Sequence, residues 1–421
     1  MTDIKEVAVV GLGYIGLPTA AILASQGFRV HGVDVNPRTV EAVAKGEVPF
    51  VEPELGDYVA RVVSNGLLSA TLTTPAADAY IVAVPTPFNE DYTADLRYIE
   101  QAADGIAPHL QGTELVILES TAPPGTTEHL MTRLQNARPD LDTSNLLVAH
   151  CPERVLPGYV MQELVTNDRI VGGMTPQAAE AAKALYRSFC RADILTTDAK
   201  TAEMAKLVEN SYRDVNIAFA NELSVISDKL EIDVWELIEL ANRHPRVNIL
   251  QPGPGVGGHC IAVDPWFIVS AAPEDATLIR QARRTNDAKP DWVIGRITDA
   301  QAATEGGPVA LLGLAFKKNI DDLRESPAIG IVRNLAENCP QTSFLVAEPH
   351  VEQLPEVLAG LDNVQLVPTG QALSEADTIA LLVDHDQFLD VDPESLRGKQ
   401  VIDTRGLWRH LQVNPLEVVH A

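Results

Sequence analysis

The sequence predicts an α/β protein with an N-terminal doubly wound parallel sheet, a central helical block and a second, C-terminal α/β domain. Three observations carry this. Over the first half, short and nearly continuous apolar runs alternate with helix-patterned segments, as buried parallel strands and their crossovers do. From about Asp198 the strand pattern stops. Near Pro308 a second series of apolar runs begins. At 421 residues and 46% hydrophobic content, the chain is long enough for two or three domains. The expected boundaries are 1–198, 199–304 and 305–421.

In the first domain the strands are read as "EVAVVGLG", "RVHGVDV", "AYIVAVPTP", "ELVILES" and "NLLVAHCPE", with "IGLPTAAILASQG" as the first crossover helix. The middle block opens with "TAEMAKLVENSYRDVNIAFANELSVISDKLEI", a long helical pattern free of Gly and Pro, and continues with "DVWELIELANR". The loop "GPGVGGHC", Gly253 to Cys260, comes next. "DPWFIVSAA" and a helix-like run through "ATLIRQARRTND" follow it. The segment "EGG" at Glu305–Gly307 reads as a linker. Beyond it lie "PVALLGLAF", "SFLVAEP", "DTIALLVDH" and "KQVIDTR" as strands.

Cys151, Cys190, Cys260 and Cys339 are far apart, with neither a CxxC pair nor metal-ligand spacing. That usage belongs to a reducing compartment, and no metal is expected. The opening "MTDIKEVAVVGLG" runs straight into a strand without signal-peptide organisation, and no apolar run reads as a membrane span. The expectation is a cytoplasmic protein without membrane contact. A formal net charge of −26 argues against nucleic acid as a partner. It leaves room for a small anionic ligand, held by local arginines and helix N-termini. The acidic excess reads as solubility, although adaptation to salt fits the same composition.

"VVGLGYIGLPTA" places Gly11, Gly13 and Gly16 as GxGxxG between a strand and a helix, with Tyr14 and Ile15 inside the motif. This is a Rossmann-type fingerprint, in which glycines permit close approach of the backbone to a pyrophosphate. Asp34 ends the next strand. Its carboxylate suits ribose hydroxyls and repels a 2′-phosphate, which favours NAD over NADP. Arg38 is placed either to stack on adenine or as a surface arginine. Thr86 and Thr121 fall at strand ends, where ligands of such sheets bind and where caps and turns also use threonine.

Lys206, Asn210 and Arg213 stand at i, i+4 and i+7 on one face of the long helix. A solvated stripe has this pattern. So does a charged and a neutral donor poised to hold an alkoxide, and an asparagine in mid-helix has poor propensity for solubility alone. The loop before Cys260 is similarly two-sided. It is either a tight turn whose cysteine packs as an apolar residue, or a backbone opened so that substrate reaches a thiol.

Together "GLGYIG", "ESTAPPGTTE", "CPERVLPG", "AEMAKLVENSYRDVNIAFANE", "GPGVGGHCIAVDP" and "GLAFKKNIDDLRESP" resemble the UDP-glucose/GDP-mannose dehydrogenase family along nearly the whole chain. The resemblance implies two successive NAD-dependent oxidations of a nucleotide sugar at C6. Within the family, "NRHPRVNILQPGPGVGGHCIAVDPWFIV" is most similar to the members that act on UDP-N-acetyl-D-mannosamine for cell-surface polysaccharides. UDP-N-acetylglucosamine or another UDP-sugar is the alternative. The resemblance puts Cys260 in the role of nucleophile, with Lys206 and Asn210 at the oxyanion. Glu153 falls near the hydrolytic water and Asp264 helps to order the site. Substrate contacts are implied for Arg154, Val155, Lys206, Asn210, Arg213, His244, Arg246, Gly257, Phe316 and Lys317. Arg246 would reach a neighbouring subunit, and Arg324 would approach NAD. A homodimer through the long helix is implied as well.

Overall fold

The computed structural model describes residues 4–89, 91–156, 158–258, 261–304, 306–409, 411 and 417–419, the last three as backbone alone. His259, Cys260 and Glu305 lie outside the described residues. The chain divides into two compact units, Met1–Glu209 with Ser270–Ala272, and Asn210–Val269 with Pro273–Ala421.

In the first unit the elements run β1 (Glu6–Val10), α1 (Gly16–Ser25), β2 (Arg29–Val33), α2 (Pro37–Ala44), α3 (Leu55–Ser64), β3 (Leu68–Thr71), β4 (Ala79–Val82), α4 (Arg97–Ile106), β5 (Leu115–Leu118), α5 (Thr126–Ala137), β6 (Leu147–His150), α6 (Val160–Thr166), β7 (Arg169–Gly173), α7 (Pro176–Tyr186) and β8 (Ile194–Asp198). The strand order is β3-β2-β1-β4-β5-β6-β7-β8. All neighbours are parallel except β6 and β7. Both faces are covered, which explains the unbroken apolar strands. On β1, Val7 and Val9 join one core with Leu17, Leu55 and Leu185. Ala8 and Val10 join the opposite core with Ile99 and Leu130.

The helix α8 (Ala199–Lys229) begins in the first unit and continues into the second. Then follow α9 (Val234–Ala241), α10 (Asp264–Ala271), α11 (Thr277–Ala303), β9 (Val309–Leu312), α12 (Pro327–Asn338), β10 (Phe344–Ala347), α13 (Glu356–Ala359), β11 (Val364–Leu366), α14 (Thr369–Glu375), β12 (Thr378–Leu381), β13 (Gln400–Asp403) and β14 (Glu417–Val419). This second sheet is wholly parallel, ordered β11-β10-β9-β12-β13-β14. Position for position, that repeats the first six strands of the first sheet. On β9 the alternation also repeats, with Val309 and Leu311 facing the α11–α12 side and Ala310 and Leu312 packing in a separate core with Leu373 and Ile379.

Polar groups are buried between α8 and α11. Lys289, 2% exposed, donates from Nζ to Ser224 Oγ at 2.6 Å, and Nζ lies 3.6 Å from the ring centroid of Trp292. Burial pushes its pKa down from 10.5 to about 7, against a smaller opposing pull from Asp228. The folded protein therefore gives up this proton before the unfolded chain does. Stability contributed at this site rises with pH from about 7 to about 10. Lys289→Met is expected to flatten that rise, read as urea midpoints at the two ends of the range. The same rise in both proteins would contradict the assignment.

Candidate active site

The first site is built at the C-terminal edge of the first sheet. After β1 the chain turns at Gly11, with φ +98°. A Cβ at Gly11 would collide with the carbonyl of Ala83, and one at Gly16 with the carbonyl of Gly11, so both positions exclude any other residue. At Gly13 nothing lies within 4 Å of the place a Cβ would take. The backbone there is open, next to the N-terminus of α1. Ile15 stands at the N-cap of α1, and Tyr14 stacks on Phe50 with centroids 4.3 Å apart. Asp34 is locked from two sides, accepting from the backbone N–H of Leu12 at 2.9 Å and of Asn36 at 2.8 Å. A carboxylate has about four lone-pair positions, so both oxygens remain able to accept from a ribose. Arg38 is exposed in the first turn of α2, its N–H bonded to the Asn36 side chain. Thr86 Oγ1 donates to the carbonyl of Thr121, so these two strand-end threonines meet. An open glycine backbone at a helix N-terminus, with a fixed acidic group on the next strand, fits NAD.

Beside it, Glu203 on α8 is fully buried and accepts from Gly125 N–H at 2.6 Å, Thr127 N–H at 2.7 Å and Thr127 Oγ1 at 2.6 Å. It caps α5 and ties the "STAPPGTT" turn to α8, three residues before Lys206. Lys206 itself has no hydrogen bond or ion pair to a described residue. Glu153 is clamped. Its Oε1 accepts from Arg154 N–H at 2.7 Å, and its Oε2 meets Arg169 Nη2 at 2.9 Å, with both side chains under a tenth exposed. Arg169 also lies over the rings of Tyr186 and Phe189. Nearby, Glu119 accepts from Tyr186 Oη at 2.8 Å and Thr19 Oγ1 at 3.2 Å. Burial, followed by the Glu153 charge, pushes Glu119 up to about 7. The Cys151 thiol, pushed by burial up to about 12, stays protonated at neutral pH. Arg154 is held by Glu209 at 2.6 Å and by the carbonyl of Asp168 at 3.1 Å. Val155 packs against the apolar core.

In the second unit, Asn210 Nδ2 donates to the buried Asp264 at 2.6 Å. That bond joins the α8 face to the first residue of α10, four positions after Cys260. The glycines of the preceding loop are there for contact. A Cβ at Gly253 would strike Arg405, at Gly255 it would lie 2.8 Å from Pro327, and at Gly257 it would strike the carbonyl of Glu325. At Gly258 it would lie 3.2 Å from the Phe316 ring. Phe316 and Gly257, both read as substrate contacts, are therefore neighbours. Lys317 is exposed beside them in sequence, and Arg213, His244 and Arg246 are exposed as well. His244 Nδ1 accepts the N–H of Arg246 at 3.3 Å. Arg324 forms a two-toothed pair with Asp322, at 2.9 and 2.6 Å.

One trio with metal-ligand chemistry, Glu348, His350 and His385, converges to within 4.8 Å among the described residues. Two of its three members, Glu348 and His385, are otherwise engaged, while His350 Nε2 is buried without a hydrogen-bond partner. Glu348 accepts from the N–H groups of Leu314, Ala315 and His350. His385 Nδ1 accepts from Asn319 N–H at 2.9 Å, which leaves its proton on Nε2, pointing at Glu348 at 3.0 Å. A nitrogen carrying a proton offers no lone pair to a metal. The trio acts as a structural clasp.

Sequence reading missed Glu203, Glu119 and Arg169. Glu203 left a faint signal, an acidic residue in a helix three positions before a candidate lysine. The other two had none, since an arginine at the start of a strand and a glutamate at the end of one look like surface residues until their partners are known.

A dinucleotide cradle on the first sheet defines an NAD-dependent dehydrogenase. The chain belongs to the UDP-glucose/GDP-mannose dehydrogenase family: residues 5–190 match its NAD binding domain, 200–288 its central domain and 310–410 its UDP binding domain. It is 56% identical to an NDP-N-acetyl-D-galactosaminuronic acid dehydrogenase of Ralstonia nicotianae, over 96% of this chain and 97% of that protein. It is 53% identical to a UDP-N-acetyl-D-mannosamine dehydrogenase of Yersinia pestis, over 96% and 99%. Among solved structures, a UDP-D-ManNAc dehydrogenase of Pyrococcus horikoshii superposes with a TM-score of 0.87 at 38% identity, covering 98% of this chain and 97% of that one.

Asp34→Ala is expected to narrow the preference for NAD over NADP, measured as the ratio of kcat/KM values, because a carboxylate that would repel a 2′-phosphate is gone. An unchanged ratio would remove Asp34 from cofactor discrimination.

Proposed function

We propose that this chain oxidises UDP-N-acetyl-D-mannosamine at C6, through the aldehyde, to UDP-N-acetyl-D-mannosaminuronate. The observation that carries the reading is the Asn210–Asp264 bond, which ties the candidate oxyanion helix to the segment just after Cys260. Relatives named for the mannosamine substrate match at 51–54% identity. Two relatives named for N-acetylgalactosaminuronic acid match at 55–56%, so a galacto-configured sugar is the second reading.

NAD⁺, when bound on the first sheet, would supply the hydride acceptor for both oxidations. Lys206 and Asn210 hold the C6 oxygen as charge develops on it, one by charge and one by a neutral donor. The aldehyde so formed has no hydride to give until a nucleophile adds. The Cys260 thiolate forms a C–S bond and the carbonyl oxygen takes up a proton, giving a thiohemiacetal. Loss of the second hydride and of the hydroxyl proton leaves a thioester. Water attacks, the C–S bond breaks, and the acid leaves with the thiol restored. One water is consumed and three protons are released for each sugar oxidised. Glu153, held by Arg169, orients the water, and Asp264 orders Asn210. Cys151 and Cys190 are fully enclosed, which leaves Cys260 and the half-buried Cys339, and the Asn210–Asp264 bond favours the former.

UDP is assigned to the second unit, with Phe316, Lys317, Arg213 and Gly257 around it. His244 and Arg246 sit on an exposed loop suited to a neighbouring subunit's site. Dimerisation is assigned to α8. Val208, Tyr212, Phe219, Ile226 and Leu230 are all exposed, and their spacings of four and seven place them on one stripe. The domain limits 1–198, 199–304 and 305–421 are retained for this division of labour. The reaction is placed in the cytoplasm, supplying an acidic sugar to cell-surface polysaccharide. The spread of lone cysteines supports a reducing compartment.

NADH formed per nucleotide sugar, across a panel of UDP-linked N-acetylhexosamines, tests the function. Two per sugar, with the manno compound preferred, is expected. Cys260→Ser should form at most about one NADH per site. Lys206→Ala should slow oxidation by ~10²–10³-fold. Full turnover to the acid by Cys260→Ser would remove the thiol from the mechanism. Sedimentation should give a dimer at micromolar concentration, and a monomer would sink the α8 interface.

A further inference from the structure

A polar ladder runs through the interior of the second unit and ends on the loop that leads to Cys260. Asn221 on α8 is 1% exposed. Its Oδ1 accepts from the backbone N–H of Gly253 at 2.9 Å, and its Nδ2 donates to Asn286 Oδ1 on α11 at 2.9 Å. Asn286, also 1% exposed, donates from Nδ2 to Asp214 Oδ1 at 2.8 Å and to the Asp214 carbonyl at 3.0 Å. Asp214 pairs with the fully buried Arg283. A donor-only backbone group stands at one end and an acceptor-only carboxylate at the other. Only one orientation of both amides forms all of these bonds, since turning either would set like groups against each other.

We propose that Asn221 is a positioning residue for the thiol step, fixing the start of the "GPGVGGHC" loop and through it the placement of Cys260. The inference rests on the reading of Cys260 as nucleophile. The ladder has a reason to be there. The loop makes no regular secondary structure between Gly253 and Gly258, and its glycines have no side chains to hold it. Its far side abuts Arg405, Pro327 and Phe316. Asn221 supplies a side-chain hydrogen bond to the loop backbone from the α8 side. A group displaced by about 1 Å at a covalent step loses rate out of proportion to any loss of stability, by up to about 100-fold.

The two halves of the reaction separate positioning from simple damage. Aldehyde oxidation with NAD⁺ requires the thiol. Aldehyde reduction with NADH reverses the first oxidation, returning hydride and a proton to the carbonyl, and does not. Both are measured on the UDP-sugar 6-aldehyde with the full chain, for wild type, Asn221→Ala, Asn221→Asp, Asn286→Ala and Cys260→Ser. Asn221→Ala is expected to lose aldehyde oxidation about 10- to 100-fold while keeping reduction within about threefold. Asn221→Asp, which keeps an acceptor for Gly253 N–H but sets a second oxygen against Asn286 Oδ1, should show the same selective loss of oxidation. Asn286→Ala, one step further along the ladder, should show a smaller selective loss and serves if Asn221→Ala does not fold. Equal loss of both half-reactions in a folded variant, or no loss, would overturn the positioning role. Normal oxidation by Cys260→Ser would instead overturn the thiol reading itself, whatever the asparagine variants do.

Discussion

Buried polar side chains along α8 are held by specific partners, with Ser211 Oγ and Asp214 Oδ2 the unmatched atoms, and those bonds organise the segments packed against the helix. A helix that enters a core with Glu203, Asp214 and Asn221 on its inward side is tolerable only if each finds partners, because an unpaired buried polar group costs about 1–3 kcal/mol. Glu203 finds them in the α5 turn, Asp214 in Arg283 and Asn286, and Asn221 in Asn286 and Gly253. Each match fixes something useful. The first fixes the turn that carries Thr121, and the last fixes the loop that leads to the thiol. Lys206 follows Glu203 by three residues in the first unit, and Asn210 precedes Asp214 by four in the second.

Within each unit the sheet solves one problem in one way. Asp34 at the end of β2 receives the N–H of Leu12, just after β1, and Glu348 at the end of β10 receives the N–H of Leu314, just after β9. Gly11 and Gly313 both take positive φ, at +98° and +94°, and a Cβ on either would strike the neighbouring strand's end. The two sheets thus share strand order, turn and acidic clasp. They differ in what the clasp leaves open. Asp34, with two N–H partners, keeps lone pairs for a ligand. Glu348 is closed off by a third N–H and by the proton of His385, which together hold it below the usual carboxylate range against the upward push of burial.

The strands with continuous apolar runs were legible because period and composition agree there. β3, β7, β8, β11 and β14 were not, being pieces such as "LSAT", "RIVGG" and "VQL" whose mixed residues carry no pattern of their own. The GxGxxG turn and the Lys206–Asn210 face were also legible, since local spacing defines them. Arg169, Glu119 and the Asn221–Asn286 ladder depend on partners 16 to 100 residues away, which no local pattern reports. The glycine-rich loop was legible as unusual but not as explained. Its glycines answer to Phe316, Glu325, Pro327 and Arg405, which only the fold brings close.

The central claim is that the sugar becomes covalently attached to the chain, through sulfur, between two oxidations. The direct measurement is rapid acid quench during turnover, followed by digestion and mass spectrometry of the four cysteine-containing regions. An adduct with the mass of the nucleotide uronyl group is expected on the peptide carrying Cys260, appearing and decaying at the rate of turnover. An adduct on Cys151, Cys190 or Cys339 instead, or steady formation of acid with every cysteine unmodified, would contradict the claim.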